Sequence, residues 1–269
     1  MTTAATRTVQ PAEKLEENAG FGDIVRDIAR GGITGLIVGL VGVGIGGRIV
    51  MRLAALIVPE SAGDFTENGF RIGDITPGGS LGLVVFGLFA GAGVATIWVI
   101  VSPWIPGVGI RRASLTMLVA IGLGAFALID EGNRDFFILR NHPGVSVVLI
   151  SLIAVIGLLF ALVDDALDRR LPAATGPWYG AYLLLTTVGL GLAMIVLVGF
   201  LTAPEMVTVV MGVALLVVGL ATLGTWVCRM RGRTAPRWLS VVGHGALVAA
   251  VVLGCARTLP DLVQTLGLA

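Results

Sequence analysis

Three aspartates in one short stretch, Asp164, Asp165 and Asp168, are the residues whose spacing most suggests chemistry. The pattern DDxxD places carboxylates one helical turn apart, where they could share Mg²⁺ ions and bind a diphosphate. Two arginines follow at once, at positions 169 and 170, and the chain has no second aspartate-rich motif. We therefore expect a solvated turn at the end of an apolar segment, and a metal site is the alternative.

Two arginines, Arg48 and Arg52, lie one helical turn apart near the end of the first apolar segment. An arginine at the centre of a membrane helix costs about 2.5–3.5 kcal/mol on insertion scales, so it is usually paired or functional. Arg52 is close enough to the outer boundary for its side chain to reach the headgroups, whereas Arg48 lies one turn deeper. The pair predicts either an anchor at the outer boundary or a site that binds an anion or a carboxylate.

A dense group of polar residues occupies the loop that follows the third apolar segment. Its members carry both signs of charge: Asp130, Glu131, Asn133, Arg134 and Asp135. Long ordered loops often carry function. We predict a ligand- or partner-binding surface formed by these residues over Arg48 and Arg52, and the alternative is a salt-bridged cap on the bundle.

Five glycines repeat every three or four residues in the first apolar segment, which places them on one face of a helix. They are Gly32, Gly35, Gly39, Gly42 and Gly46. Without side chains along that face, another helix backbone can approach closely. The pattern predicts a helix-packing seam, and the alternatives are a self-dimer face or the wall of a passage.

The amino-acid composition indicates that these residues belong to a membrane protein. The chain has 269 residues, of which 56% are hydrophobic and 13% charged, with a mean hydropathy of +0.96. A soluble domain carries about 25% charged residues, so most of this chain must face lipid. Because a crossing needs about 20 apolar residues, the predicted fold is an all-α polytopic bundle of about seven membrane helices, at residues 31–58, 80–101, 113–129, 145–163, 180–202, 206–227 and 239–257.

Basic residues predict the orientation of this bundle. Twelve of the 18 arginine and lysine residues fall on one side of the predicted spans, and four of them lie in the segment 228–239. Cytoplasmic loops carry the excess of basic residues, so the N-terminus is predicted inside and the C-terminus outside. The predicted organisation is a cytoplasmic tail over residues 1–30, a transmembrane domain over residues 31–258 and an extracytoplasmic tail over residues 259–269.

A short amphipathic helix is predicted within the N-terminal tail. Phe21, Ile24, Val25 and Ile28 share one helical face. This helix lies either on the inner leaflet or in line with the first span. The bias toward arginine over lysine, together with many Ala, Val, Gly and Leu residues, indicates a bacterial protein of the plasma membrane.

Several function classes lose support from the sequence. The net charge of +1 gives no argument for nucleic acid. His142 and His244 fall at opposite membrane boundaries, so they cannot ligate one haem, and no cofactor is expected.

The expected partners are the lipid bilayer and either a second copy or another membrane protein. The favoured function is a small transporter or accessory subunit that binds a ligand or partner at its outer face. The alternative is an intramembrane enzyme acting on a lipid-linked or diphosphate substrate at the inner face.

Overall fold

The computed structural model describes residues 12–66, 69, 71–129, 138–139 and 142–265, with residues 12–19 described by their backbone alone. Within these residues, seven helical stretches are long and apolar enough to cross a membrane. They are Gly20–Ile57, Pro77–Trp104, Gly109–Ala127, Pro143–Arg170, Pro177–Leu201, Met206–Met230 and Arg237–Thr265. The prediction of an all-α polytopic bundle with seven helices is confirmed.

The first span contains three helical pieces: α1 (Ala12–Val38), a π-helical stretch (Gly39–Gly46) and α2 (Gly47–Ile57). The other spans are α3 (Pro77–Val101), α4 (Gly109–Gly124), α5 (Pro143–Arg170), α6 (Pro177–Leu201), α7 (Met206–Met230) and α8 (Arg237–Thr265). Three of these helices start on proline, because the first helical position needs no backbone N–H donor.

The two ends of the bundle differ in composition. The connections at residues 102–108, 171–176 and 231–236 share one end, which we call the arginine-rich end. The opposite end, called the loop end, carries the described part of the connection between α2 and α3 and the turn at residues 202–205. The five tryptophans lie near the arginine-rich end: Trp98, Trp104, Trp178, Trp226 and Trp238. Which end faces the cytoplasm stays a prediction.

The segment before the first predicted span is helical and continuous with it, since α1 runs unbroken from Ala12 to Val38. Ile24 and Val25, on the apolar face of this segment, are buried in the protein. Val25 packs in a small cluster with Ala29 and with Tyr182 of α6. This is the geometry of an extension of the first span, packed against a neighbouring helix.

Six of the spans form a ring in which each contacts the next. Going round the ring, the first span contacts α3, α3 contacts α7, α7 contacts α8, α8 contacts α4, α4 contacts α5, and α5 contacts the first span. α6 lies outside the ring against α1, α3 and α7. On the α7–α8 side the ring is filled by the largest core cluster, which includes Trp104, Val218 and Ala250.

The glycines of the first span lie against two different helices. A Cβ built on Gly39 would be 2.1 Å from the carbonyl oxygen of Gly87, and one on Gly35 would be 2.4 Å from that of Gly91. These four glycines therefore let the backbones of the first span and α3 touch, which no larger residue would permit.

The second half of the glycine row meets α5. Cβ atoms built on Gly42 and Gly46 would lie 2.8 Å from the side chains of Ile156 and Leu152, respectively. A Cβ on Gly32 would meet no heavy atom of the described residues within 4 Å. The row thus serves two interfaces, because the π-helical stretch changes the rotation per residue and turns the later glycines toward α5.

Candidate functional site

A cluster of charged residues joins four helices near the arginine-rich end, from the buried Asp164 to the exposed Asp168, and we call it the ionic cluster. It joins α1, α4, α5 and α7 through four arginines and four aspartates: Arg26, Arg30, Arg112, Arg229, Asp27, Asp164, Asp165 and Asp168. Charges within membrane spans are expensive and are usually paired in this way.

Asp164 is the centre of the ionic cluster. Its side chain is only 2% exposed, yet each carboxylate oxygen accepts hydrogen bonds. Arg30 Nε donates to Oδ1 at 3.0 Å, and both terminal nitrogens of Arg112 lie 3.3 Å from Oδ2. Two guanidinium groups therefore compensate the desolvation of this buried carboxylate.

The other two aspartates of the DDxxD motif also face arginines. Arg112 donates to Asp165, while Asp168 accepts from Arg30 and, at 3.0 Å, from Arg26 Nη1. The motif thus presents its carboxylates to guanidinium groups rather than to each other. Among the described residues, no group of three or more His, Cys, Asp or Glu side chains is arranged to hold a metal ion.

Arg26 also closes the end of α5. It donates to the backbone carbonyls of Asp168, Leu171 and Pro172 at 2.6, 3.1 and 3.2 Å. The last carbonyls of a helix lack partners within the helix, so a cation placed there satisfies them and interacts well with the helix dipole. The N-terminal extension of the first span is therefore tied to the end of α5.

Arg112 connects the ionic cluster to the aromatic core. Its guanidinium lies over the ring of Trp98, 5.2 Å from the ring centroid. Trp98 in turn contacts Phe160, with centroids 5.6 Å apart. Sequence reasoning missed this arrangement: it predicted a solvated turn around Asp164, and it left the segment before the first span as either a surface helix or an extension of that span. The available signal was the presence of aspartates among the arginines predicted at one end of the bundle.

Arg48 and Arg52 contact the loop between α2 and α3. Arg48 Nη1 donates to the carbonyl of Asp74 at 3.1 Å, and Arg52 Nη1 donates to that of Gly73 at 3.0 Å. Nε and Nη2 of Arg48 are buried and make no hydrogen bond to a described residue. The two predicted binding residues thus hold a loop in place at the loop end of the bundle.

We call the described residues of this loop, 58–66, 69 and 71–76, the cap. Backbone hydrogen bonds of 2.9 Å join Gly63 N–H to the carbonyl of Ile72, and Ile72 N–H to that of Asp64. The Arg71 guanidinium lies over the Phe65 ring, 5.3 Å from its centroid. Because these contacts fold the loop back on itself, Ile72 points into the protein and is 2% exposed.

Beneath the cap lies a cavity of about 590 Å³, between the first span, α3, α4 and α5. Its walls are aliphatic and aromatic apart from a few polar groups, among them the hydroxyls of Thr66 and Thr116. The Thr116 hydroxyl already donates to the carbonyl of Arg112 at 2.8 Å. This volume lies within the range of about 300–1,000 Å³ that is typical of ligand pockets.

Described residues close the cavity at both ends. At the loop end its roof contains Thr66 and Ile72 of the cap, both buried. At the arginine-rich end its floor contains Trp98, Ile105 and Phe160, each no more than 5% exposed. A ligand could therefore enter neither from the water beyond the cap nor through the ionic cluster without displacing packed side chains.

The exposed residues of the lining mark the mouth of the cavity. Phe86 and Val94 of α3 line the cavity yet are 49% and 43% exposed, and Ala127 next to α4 is also exposed. Because both ends are closed, the cavity opens sideways at these exposed residues, toward the surface that the apolar helices present to lipid.

The remaining predicted site residues, Asp130, Glu131, Asn133, Arg134 and Asp135, lie outside the described residues, so their part in a binding surface stays a prediction. The fold and the site together define a multipass membrane protein with a laterally open apolar cavity. The chain matches no protein-family model, no curated protein and no solved structure.

Proposed function

We propose that this protein binds a hydrocarbon chain of a membrane lipid in the cavity between the first span, α3, α4 and α5. The observation that carries the proposal is the cavity itself, which is apolar, about 590 Å³ in volume and open sideways. Apolar cavities exclude water and accept apolar guests. In a bilayer, the hydrocarbon chains next to the mouth are the most abundant such guests.

This proposal revises the role of the outer face. Arg48 and Arg52 would act on the ligand indirectly, by holding the cap over the cavity through Asp74 and Gly73. A protein of this kind would serve as a small lipid transporter or as an accessory subunit that presents a lipid to a partner. We retain as part of the proposal a bacterial plasma membrane, with the arginine-rich end inside.

Photochemical labelling tests this function. The probe is phosphatidylglycerol with a diazirine in its acyl chain, incorporated into liposomes that contain the full-length protein. We expect cross-links on the cavity walls, at Leu123 and Ile153, in addition to those on the lipid-facing surface of α6. Labelling restricted to the outer surface of the bundle would contradict the proposal.

A cavity-filling substitution provides the specific control. Ala90→Phe places a ring inside the cavity and should reduce labelling of its walls at least several-fold, with labelling of α6 unchanged. Ala249→Phe adds the same ring at an exposed position of α8 and should change neither. Leu123→Phe is a second filling variant if Ala90→Phe does not fold. Wall labelling that survives a folded filling variant would refute the assignment.

A further inference from the structure

We infer that the cavity selects a single hydrocarbon chain of about 15–20 carbons from the leaflet at the loop end. The Trp98–Phe160 pair sets the limit on the length of that chain. This inference rests on the proposed function. Length is the first argument. Lining residues run from Val145 to Phe160 on α5 and from Leu83 to Val101 on α3. At 1.5 Å per helical residue these stretches span about 22 and 27 Å.

A hydrocarbon chain can be compared with that length. A fully extended backbone advances about 3.3–3.6 Å for every three bonds, or about 1.2 Å per bond. A cavity about 22 Å long therefore accommodates about 18 bonds of an extended chain. This is the size of one acyl chain. A diacyl lipid would place one chain in the cavity and leave the other in the bilayer.

The position of the mouth argues for the leaflet. Two of the three exposed lining residues, Phe86 in α3 and Ala127 just after α4, lie toward the loop end, and the third, Val94, lies in the other half of α3. The floor residues Trp98 and Phe160 are buried at the other end. A chain entering sideways would therefore come from a lipid whose headgroup lies at the loop end, and its methyl end would point to the floor.

The floor is held in place by charge. Arg112 contacts the face of Trp98 and is fixed by Asp164 and Asp165 on α5. Phe160, on the same helix as these aspartates, lies against the Trp98 ring. A floor restrained from behind by ion pairs does not yield to a longer chain, so its position fixes the length that fits.

Competition by single-chain lipids tests the length limit. Lysophosphatidylglycerols with saturated chains of about 12 to about 22 carbons, which cover the lengths above and below the expected limit, compete with the diazirine lipid for labelling of Leu123. We expect competition to rise to about 16–18 carbons and to fall beyond. Phe160→Ala should shift the optimum longer by about two to four carbons, since removing the ring deepens the floor by a few bond lengths.

The matched control is Phe126→Ala, which removes another ring packed on the core that does not line the cavity. It should leave the optimum where it is. If Phe160→Ala does not fold, Phe160→Leu is measured in the same way and should give a smaller shift in the same direction. A flat length dependence, or an unchanged optimum in a folded Phe160 variant, would overturn the length limit while wall labelling still supports the proposed function. Loss of wall labelling in the unsubstituted protein would overturn both.

Discussion

The terminal nitrogens of Arg112 lie 3.3 Å from Oδ2 of Asp164, in a pair whose side chains are 14% and 2% exposed. One residue is on α4 and the other is on α5, so the pair joins two of the apolar helices. The same guanidinium contacts Trp98 at the floor of the cavity. The ionic cluster and the cavity are therefore parts of one structure.

Removing Arg112 should destabilise the protein strongly. Arg112→Gln leaves the buried carboxylate of Asp164 with one guanidinium instead of two, and breaking a buried ion pair from one side costs about 3–5 kcal/mol. Unfolding in detergent, followed by circular dichroism, measures the loss. Arg111→Gln is the matched control, since Arg111 is the exposed neighbour in sequence and should give a change below about 0.5 kcal/mol. Equal stability of the two variants would contradict a structural role for the cluster.

The contact between the first span and α3 predicts a difference between two glycines of the same row. A Cβ on Gly39 would lie 2.1 Å from the carbonyl oxygen of Gly87, so Gly39→Ala must force the two helices apart. We expect it to lower the free energy of unfolding by about 1–3 kcal/mol or more, which is the usual cost of overpacking. Gly32→Ala meets open space and should be neutral or stabilise by up to about 1 kcal/mol through helix propensity. Thermal unfolding of both variants in one detergent measures the contrast. Similar effects of the two substitutions would refute the assigned interface.

The cap should loosen when Arg52 is replaced. Arg52→Gln removes the charged donor to the Gly73 carbonyl. A hydrogen bond from a charged group contributes about 1.5–3 kcal/mol to stability. Hydrogen exchange at the amide of Ile72, which donates to the Asp64 carbonyl, should accelerate by about tenfold or more, since about 1.4 kcal/mol is a factor of ten. Arg237→Gln is the control, because Arg237 is exposed at the arginine-rich end, far from the cap, and should affect exchange little. Unchanged exchange in the Arg52 variant would contradict its role in holding the cap.

The turn before α7 gives a prediction about pH. Arg257 donates to both carboxylate oxygens of Glu205, at 2.9 and 3.0 Å, and these bonds, aided by one from the Thr208 hydroxyl, lower the pKa of Glu205. Because the pKa of Glu205 is lower in the folded protein, its ion pair with Arg257 stabilises the fold above the pKa of unfolded glutamate, about 4.3. This stabilisation is lost as the pH falls through the folded-state pKa of Glu205. Because Glu205 is exposed, the effect on the Tm should be small.

The substitution Glu205→Gln isolates this contribution. The variant should have a slightly lower Tm than the unsubstituted protein at pH 7, and the difference should shrink as the pH falls below about 4.3. Thermal unfolding across this pH range measures it. A difference that stays constant down to the lowest pH would be inconsistent with an ionised Glu205 paired to Arg257.

The spans could be predicted from the sequence because each depends on local composition. Prolines 77, 143 and 177 start helices as their fixed φ angle dictates, and every crossing is a run of apolar residues. The packing role of Gly35 and Gly39 was also readable from their spacing. These features need no knowledge of which helix lies next to which.

The site, in contrast, depends on which helices lie next to each other, and the spacing of apolar residues along the sequence does not specify this. Arg30 and Asp164 are 134 positions apart, and nothing in either local sequence specifies the other as its partner. The cavity is less visible still, since Ala90 and Ile153 are ordinary residues of apolar helices until α3 and α5 are placed around one space. The π-helical stretch, which redirects Gly42 toward α5, also has no sequence signal distinct from an α-helix.

A hydrocarbon chain inside the protein is the central claim, and a crystal structure from a lipidic mesophase tests it most directly. The account predicts a continuous tube of density that passes between Phe86 and Ala127 and ends at Trp98, as long as one acyl chain. A space at that position filled by repacked side chains, or by separate peaks of ordered water, would contradict it.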